Sequence, residues 1–154
     1  MPQLKENDIN QIMQEVIEKF LVPKFNELGM DATGLWLQSL ETEARQNVGV
    51  IRGQDYTEFL ARGRRPGNRP PIAPIERWVN AKLGIGGQQA RGVAFAVANK
   101  IANEGTTWYQ QGGTDLLEVL ESQECIDYVR SRYTGLMQLE VKNSFERMVK
   151  EVFA

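Results

Sequence analysis

The sequence predicts an α+β fold in which a small antiparallel β-sheet packs against several helices, with long helices at the N- and C-termini. Two observations support this fold class. Apolar residues recur at helical spacing near both ends and in the middle of the chain, and strand-like alternation is confined to one short stretch. A length of 154 residues, with 42% hydrophobic and 25% charged residues, fits one globular domain.

The N-terminal helix is predicted from an apolar stripe with spacings of three and four residues. The stripe consists of Ile9, Ile12, Met13, Val16, Ile17, Phe20 and Leu21. Pro23 is expected to kink or end this helix, because proline lacks the N–H that continues the hydrogen-bond ladder. Gly29 is the expected stop.

The β portion begins where the pattern changes to a period of two. Leu40, Thr42 and Ala44 fall on one side of this stretch, and the intervening polar residues fall on the other. Residues 47–51 predict a turn and a short second strand. Because two strands alone are marginally stable, this sheet needs either a covering helix or strands from a neighbouring subunit.

Three further helices are predicted. Pro74 suits the first position of a helix that ends at Gly84, and a second helix rich in small residues spans about 88–104. Helical spacing resumes at Asp115 and continues almost to the last residue, with Gly135 as the point where the helix bends or breaks.

We therefore predict one domain over residues 1–154. It comprises an N-terminal helix (1–30), an α+β body (31–110) that contains an arginine–proline loop (61–74), and a C-terminal helical region (111–154). The compact body is expected to combine residues 33–51 with the two middle helices and to bury Trp78 and Val79. The first or the last helix is expected to pack on a neighbouring subunit, because a long apolar stripe left in water is unfavourable.

Composition excludes several functions. The chain has no histidine and one cysteine, so a Ser-His-Asp triad, a Cys-His pair and a histidine-ligated zinc cannot form. Acidic residues follow helical spacing among polar ones, which is typical of solvated faces, although an enzyme that uses carboxylates stays a third hypothesis. We predict a protein that is not an enzyme and that binds no cofactor and no metal. No apolar run is long enough to span a membrane.

The most distinctive stretch is "FLARGRRPGNRPPIAPIERWV", residues 59–79. Its prolines stiffen the chain and remove N–H donors, so the segment cannot join the interior of a sheet. A stiff basic loop loses little entropy on docking, either to a phosphate backbone or to the acidic face of a neighbour. The predicted subunit or DNA contacts are Arg62, Arg64, Arg65 and Arg69.

Charge is distributed unevenly along the chain. Residues 1–51 carry a net charge of −4, residues 52–91 carry +5 and residues 92–154 carry −3. This alternation suits self-assembly as well as binding of an external anion. Trp108 and Tyr109 lie outside any periodic face, so they either cap the core or serve as interface anchors.

Two spaced motifs resemble the neck or tail-completion (head–tail joining) proteins of tailed bacteriophages. "TGLWLQSL", residues 33–40, is similar to a "TG-x-L-x-x-S-hydrophobic" pattern that starts a strand, with Trp36 in place of the usual Leu. "DYTEFLARGR", residues 55–64, is similar to "Y-x-x-hydrophobic-hydrophobic-E-x-G", with Ala61 in place of the acid. The run from "GRRPGNRPP" to "KIANEGTTWY" resembles a version found in virion proteins, crAss-like phages included. The resemblance covers about half of the chain.

The resemblance implies a structural virion protein that forms a homo-oligomeric ring at the head–tail junction. Its implied partners are copies of itself and the neighbouring portal, connector or tail proteins, with a non-specific DNA contact in the lumen as an open alternative. It implies no cofactor and no membrane, synthesis in the bacterial host cytoplasm, and residence in the neck or tail of the virion. Six-fold and twelve-fold rings both stay open, as do tail completion, tail terminator and head connector. A small nucleic-acid-binding protein that uses the Arg62–Arg69 loop is the alternative function.

Overall fold

A computed structural model describes residues 3–30 and 33–153. The helices are α1 (Glu6–Val16), a π-helical segment (Ile17–Leu21), α2 (Val22–Glu27), α3 (Leu35–Gln38), α4 (Thr57–Arg62), α5 (Ile72–Leu83), α6 (Gly87–Glu104), α7 (Thr107–Gln110), a 3₁₀ turn (Glu118–Glu121) and α8 (Gln123–Phe153). Two antiparallel strands, β1 (Glu41–Arg45) and β2 (Val48–Arg52), form the sheet. The predicted α+β class, with a small sheet and several helices, is confirmed.

The chain divides into two compact units. Unit 1 contains Met1–Pro23, Leu40–Arg52 and Glu118–Ala154, and unit 2 contains Lys24–Ser39 and Gly53–Leu117. We expected the β portion to form one body with the two middle helices, and this grouping is wrong. The strands pack with α1 and α8 in unit 1, whereas α5 and α6 pack on each other in unit 2.

The predicted N-terminal stripe is buried along its whole length, from Ile9 to Leu21. Pro23 does not end the helix. Instead the backbone widens into the π-helical segment just before Pro23, which accommodates a ring that cannot donate to the preceding turn. The helix stops at Gly29, as predicted, in the left-handed conformation (φ 68°). The Met30 N–H donates to the Phe25 carbonyl at 3.2 Å, which satisfies an end carbonyl of α2.

The hairpin turns through Gln46 and Asn47, whose φ angles of 47° and 69° are those of a type I′ turn. Its register pairs Arg45 with Val48. Ala44 faces inward and is buried with Leu4 and Ile9, which lie at the start of unit 1. A helix therefore covers this sheet, which is one of the two solutions that the sequence left open.

The C-terminal helix α8 runs without a break through Gly135. Its first half packs on α1, where Cys125 is buried with Val16 and Phe20. Farther along, Tyr133, Leu136 and Met137 pack against Leu4, Ile9 and Ala44. The remaining residues of α8 extend beyond these clusters.

In unit 2, α5 and α6 pack closely because the buried residues of α6 are alanines. Ala90, Ala94 and Ala98 are fully buried there, and Val79 of α5 meets the first two of them. Val79 is buried as predicted, but the expectation for Trp78 is wrong, since its side chain is 41% exposed. The close approach of the two backbones leaves the large indole at the edge of the contact.

Candidate docking site at the arginine–proline loop

The arginine–proline loop leaves α4 at Gly63, where the backbone adopts a left-handed φ of 75°. A Cβ atom at this position would lie 2.6 Å from the Tyr109 Cα and 2.7 Å from the Thr106 Oγ1. Only glycine tolerates both the angle and the approach. The loop therefore begins in direct contact with the segment that carries α7.

Backbone hydrogen bonds hold the loop against residues 102–114. The Arg64 N–H donates to the Thr106 Oγ1 at 2.9 Å, and the Thr106 N–H donates to the Arg64 carbonyl at 2.9 Å. Farther along, the Gly67 N–H donates to the Ala102 carbonyl at 2.8 Å. Pro70 is buried, and the chain then enters α5 at Ile72, two residues earlier than expected. The loop is a fixed element of unit 2.

Two threonines that the sequence did not single out organise this contact. Besides binding the loop, the Thr106 Oγ1 caps α7 by accepting from the Tyr109 N–H at 3.3 Å. Thr114 donates its N–H to the Ala61 carbonyl at 2.7 Å and its hydroxyl to the Leu60 carbonyl at 2.8 Å. The sequence does indicate Thr106 indirectly. It directly follows Gly105, which ends α6, and threonine is a common N-cap for a helix that begins at the next residue.

Of the four predicted arginines, Arg62 is the last residue of α4 and the other three lie on the loop, in different environments. Arg62 closes α4 and meets Glu58 at 3.5 Å, an exposed and weak pair. The Arg64 guanidinium lies 5.2 Å from the Phe59 ring centroid, and its Nη2 donates to the Asn68 carbonyl at 3.3 Å. Arg69 lies 5.9 Å from the Phe95 ring centroid, whereas Arg65 is exposed.

Within the described part of unit 2, the carboxylates neutralise little of this charge. The ion pairs there join Lys24 to Glu27 and Asp115, and Arg62 to Glu58. None of them includes Arg64, Arg65 or Arg69. From residue 59 to residue 103 the sequence contains eight basic residues and one acidic residue, Glu76. The loop thus presents unneutralised guanidinium groups on a fixed backbone.

The predicted interface anchors lie beside the same loop. Tyr109 contributes the backbone that Gly63 touches, and its side chain is 44% exposed. Trp108 is half-buried, and its carbonyl accepts from the Gly113 N–H at 2.7 Å. The structure therefore places the segment that carries both aromatic residues against the base of the arginine–proline loop. Arginines next to partly exposed aromatic rings form a surface suited to macromolecular contact.

Unit 1 carries a second candidate surface at the end of α8. Its apolar side chains recur every three or four residues and form one stripe, Met137, Val141, Phe145, Met148 and Val152. Phe145 is 64% exposed and Val152 is 72% exposed. The "α8 stripe" therefore lies largely in water. On another face of the helix, Arg147 and Glu140 pair at 3.1 Å.

No group of three or more aspartate, glutamate or cysteine side chains in the described ranges is placed to hold a metal ion. Among the same residues, no helix combines the length and the hydropathy needed to cross a membrane. Comparison with models of known protein families, with curated proteins and with solved structures finds no match for this chain.

Proposed function

We propose that this chain is a structural virion protein that forms a ring of identical subunits at the head–tail junction of a tailed bacteriophage. In this role the ring bridges the portal or connector and the tail. The protein would act by binding, without catalysis, cofactor or metal. The motif resemblance in residues 33–109 supplies the specific role, and the geometry of the two surfaces supports self-assembly.

The α8 stripe is the observation that carries the proposal. It runs for fifteen residues beyond Met137, which is about 22 Å of helix. Beyond Met137, a monomer gains nothing from four regularly spaced apolar side chains in water, and a patch of this kind is typical of protein–protein contact. Burying one large apolar side chain contributes about 1.5–3 kcal/mol, so several of them together stabilise an assembly substantially.

The arginine–proline loop adds a second surface in the other unit. A subunit in a ring needs two different surfaces, one for each neighbour, because head-to-tail contacts use unlike patches. The chain offers one largely apolar surface on α8 and one basic surface on the loop. A basic loop repels its own copy, so its partner on a neighbour is an unlike patch, as in the head-to-tail contacts of a ring.

Sedimentation velocity over a range of concentrations tests this proposal. We expect the purified chain to form a discrete, closed species of several subunits as its concentration rises. A chain that stays monomeric at all concentrations and is also absent from assembled particles would contradict it. Salt-sensitive binding to duplex DNA by a purely monomeric chain would favour the alternative, a small nucleic-acid-binding protein.

A further inference from the structure

Within the described part of unit 2, Arg64, Arg65 and Arg69 of the arginine–proline loop have no carboxylate partner. We infer that the loop receives the acidic segment, residues 118–127, of a second copy of this chain. This inference rests on the proposed self-assembly and names the two surfaces that meet. It concerns charge, and it is separate from the apolar contact of the α8 stripe.

On the receiving side, the loop is prepared for an anion. Its backbone is fixed by the hydrogen bonds to Thr106 and Ala102, so docking costs little conformational entropy. Arg65 and Arg69 are exposed, and the ring of Phe95 supports the Arg69 side chain. A planar guanidinium presents paired donors that match a carboxylate.

On the donating side, the acidic segment covers the 3₁₀ turn and the first turn of α8. It contains four acidic residues and no basic residue, and all four are exposed: Glu118, Glu121, Glu124 and Asp127. Only Asp127 has an ion pair within the described part of unit 1, with Arg130 at 3.3 Å. Three carboxylates are therefore available to an incoming cation.

Glu43 of β1 is a weaker candidate for this contact, because its charge is already neutralised. Glu43 is already bound by two arginines of the hairpin, with the Arg52 Nη2 at 2.7 Å and Arg45 on its other oxygen. These guanidinium groups, Arg52 first, lower the pKa of the Glu43 carboxyl. Among residues 3–30 and 33–153, no ion pair involves Glu118 or Glu121.

The overall charges favour a second copy over nucleic acid. From the sequence, unit 1 contains nine basic and thirteen acidic residues, a net charge of −4, and unit 2 contains nine basic and seven acidic, a net charge of +2. Nucleic acid is repelled by the net charge of −2 that the whole chain carries, whereas another copy supplies its acidic unit 1 as a ligand. A contact between two unlike patches of the chain can be repeated head to tail, and this is the arrangement that closes into a ring.

Charge reversal tests the pairing directly. One variant carries Arg65→Glu with Arg69→Glu, and a second carries Glu118→Arg with Glu121→Arg. Each alone should raise the concentration for half-assembly about tenfold or more, because like charges then face each other across the contact. An equimolar mixture of the two, and a chain that carries all four changes, should restore assembly to within about threefold.

The mixture separates a contact between chains from one within a chain, since mixing cannot repair an intramolecular pair. The matched control is Lys82→Glu with Lys100→Glu, which makes the same charge change at exposed positions of unit 2 and should leave assembly unchanged. Circular dichroism checks that every variant is folded.

Two results would overturn the inference while the proposed ring stands. One is normal assembly of the loop variant. The other is a failure to assemble both in the equimolar mixture and in the chain that carries all four substitutions, although every chain is folded. A loop variant that assembles normally but loses salt-sensitive binding to duplex DNA would assign the arginines to phosphate instead. A wild-type chain that never assembles would count against the proposed function itself.

Discussion

Glu15 of α1 accepts two hydrogen bonds from the guanidinium of Arg132 on α8, at 2.8 and 2.9 Å. The Tyr128 hydroxyl donates to the same carboxylate at 2.6 Å. These contacts, those from Arg132 first, lower the pKa of Glu15 from 4.5 to about 2. Unit 1 is therefore closed by a charged pair that joins its first helix to its last.

This pair predicts a pH dependence of stability. Since the pKa of Glu15 is lower in the folded chain, its contribution is complete above about pH 4.5 and is lost as the pH falls toward about 2. Arg132→Met should cost about 1–2 kcal/mol at neutral pH, a value reduced by partial solvent screening. Urea unfolding followed by circular dichroism should show this difference shrinking below pH 4.5.

The matched control for this experiment is Arg130→Met. Arg130 pairs with Asp127 at 3.3 Å on an exposed face of the same helix, so its loss should change the free energy of unfolding by less than about 0.5 kcal/mol. If the effect of Arg132→Met were the same at low and at neutral pH, Glu15 would not be the group through which Arg132 acts.

Gly63→Ala should disrupt the base of the arginine–proline loop. The left-handed φ and the approach to the Tyr109 backbone together should cost about 2–4 kcal/mol. All three tryptophans belong to unit 2, so their fluorescence reports on this change. Gly135→Ala is the control, and it should change the free energy of unfolding in the opposite direction. It lies in the interior of α8 with no neighbour near the added methyl group, and alanine there should stabilise the helix by about 0.5–1 kcal/mol.

Thr106 should be essential to the loop because one hydroxyl oxygen accepts from both the Arg64 and the Tyr109 N–H groups. Thr106→Val keeps the shape and removes the acceptor, and should cost about 1–3 kcal/mol in the unfolding of unit 2. Thr106→Ser keeps the oxygen and should recover most of this stability. Full stability of Thr106→Val, or a loss from Thr106→Ser as large as that from Thr106→Val, would contradict the role assigned to the hydroxyl oxygen.

The α8 stripe should be required for oligomer formation and should contribute little to the folding of the single chain. Phe145→Glu with Met148→Glu places charge on the stripe, yet both side chains are already exposed in the single chain. We expect an unchanged circular dichroism spectrum and a loss of the oligomer in sedimentation. Leu139→Glu is the control, because Leu139 is also exposed but lies on the opposite side of α8 from Met148. Equal losses in the control and the stripe variant would remove the stripe from the interface.

Periodicity predicted much of this fold, because burial of an apolar face imposes it. The stripe from Ile9 to Leu21, the stop at Gly29 and the strand pair around Asn47 all follow from local pattern. Gly135 and Trp78 were misjudged for a different reason. Whether the helix continues through Gly135 depends on how strongly the flanking residues stabilise α8. Whether Trp78 is buried depends on how closely the backbones of α5 and α6 approach.

In the candidate site as well, some features could be predicted from the sequence and others depend on tertiary contacts. Composition was enough to single out the arginines, since no other stretch combines so many cations with so many prolines. The role of Thr106 and Thr114 depends on contacts between segments about fifty residues apart, which no local pattern encodes. The grouping of the hairpin with the terminal helices is likewise a property of tertiary packing.

Cryo-electron microscopy of the phage particles that contain this chain, combined with mass spectrometry of the purified particles, tests the central claim most directly. The proposal predicts that the chain is present in each particle as a closed ring between the head and the tail. In that ring, the α8 stripe and the arginine–proline loop should both be covered by neighbouring copies. Absence of the chain from purified particles, or its presence only as isolated copies away from the junction, would contradict the account.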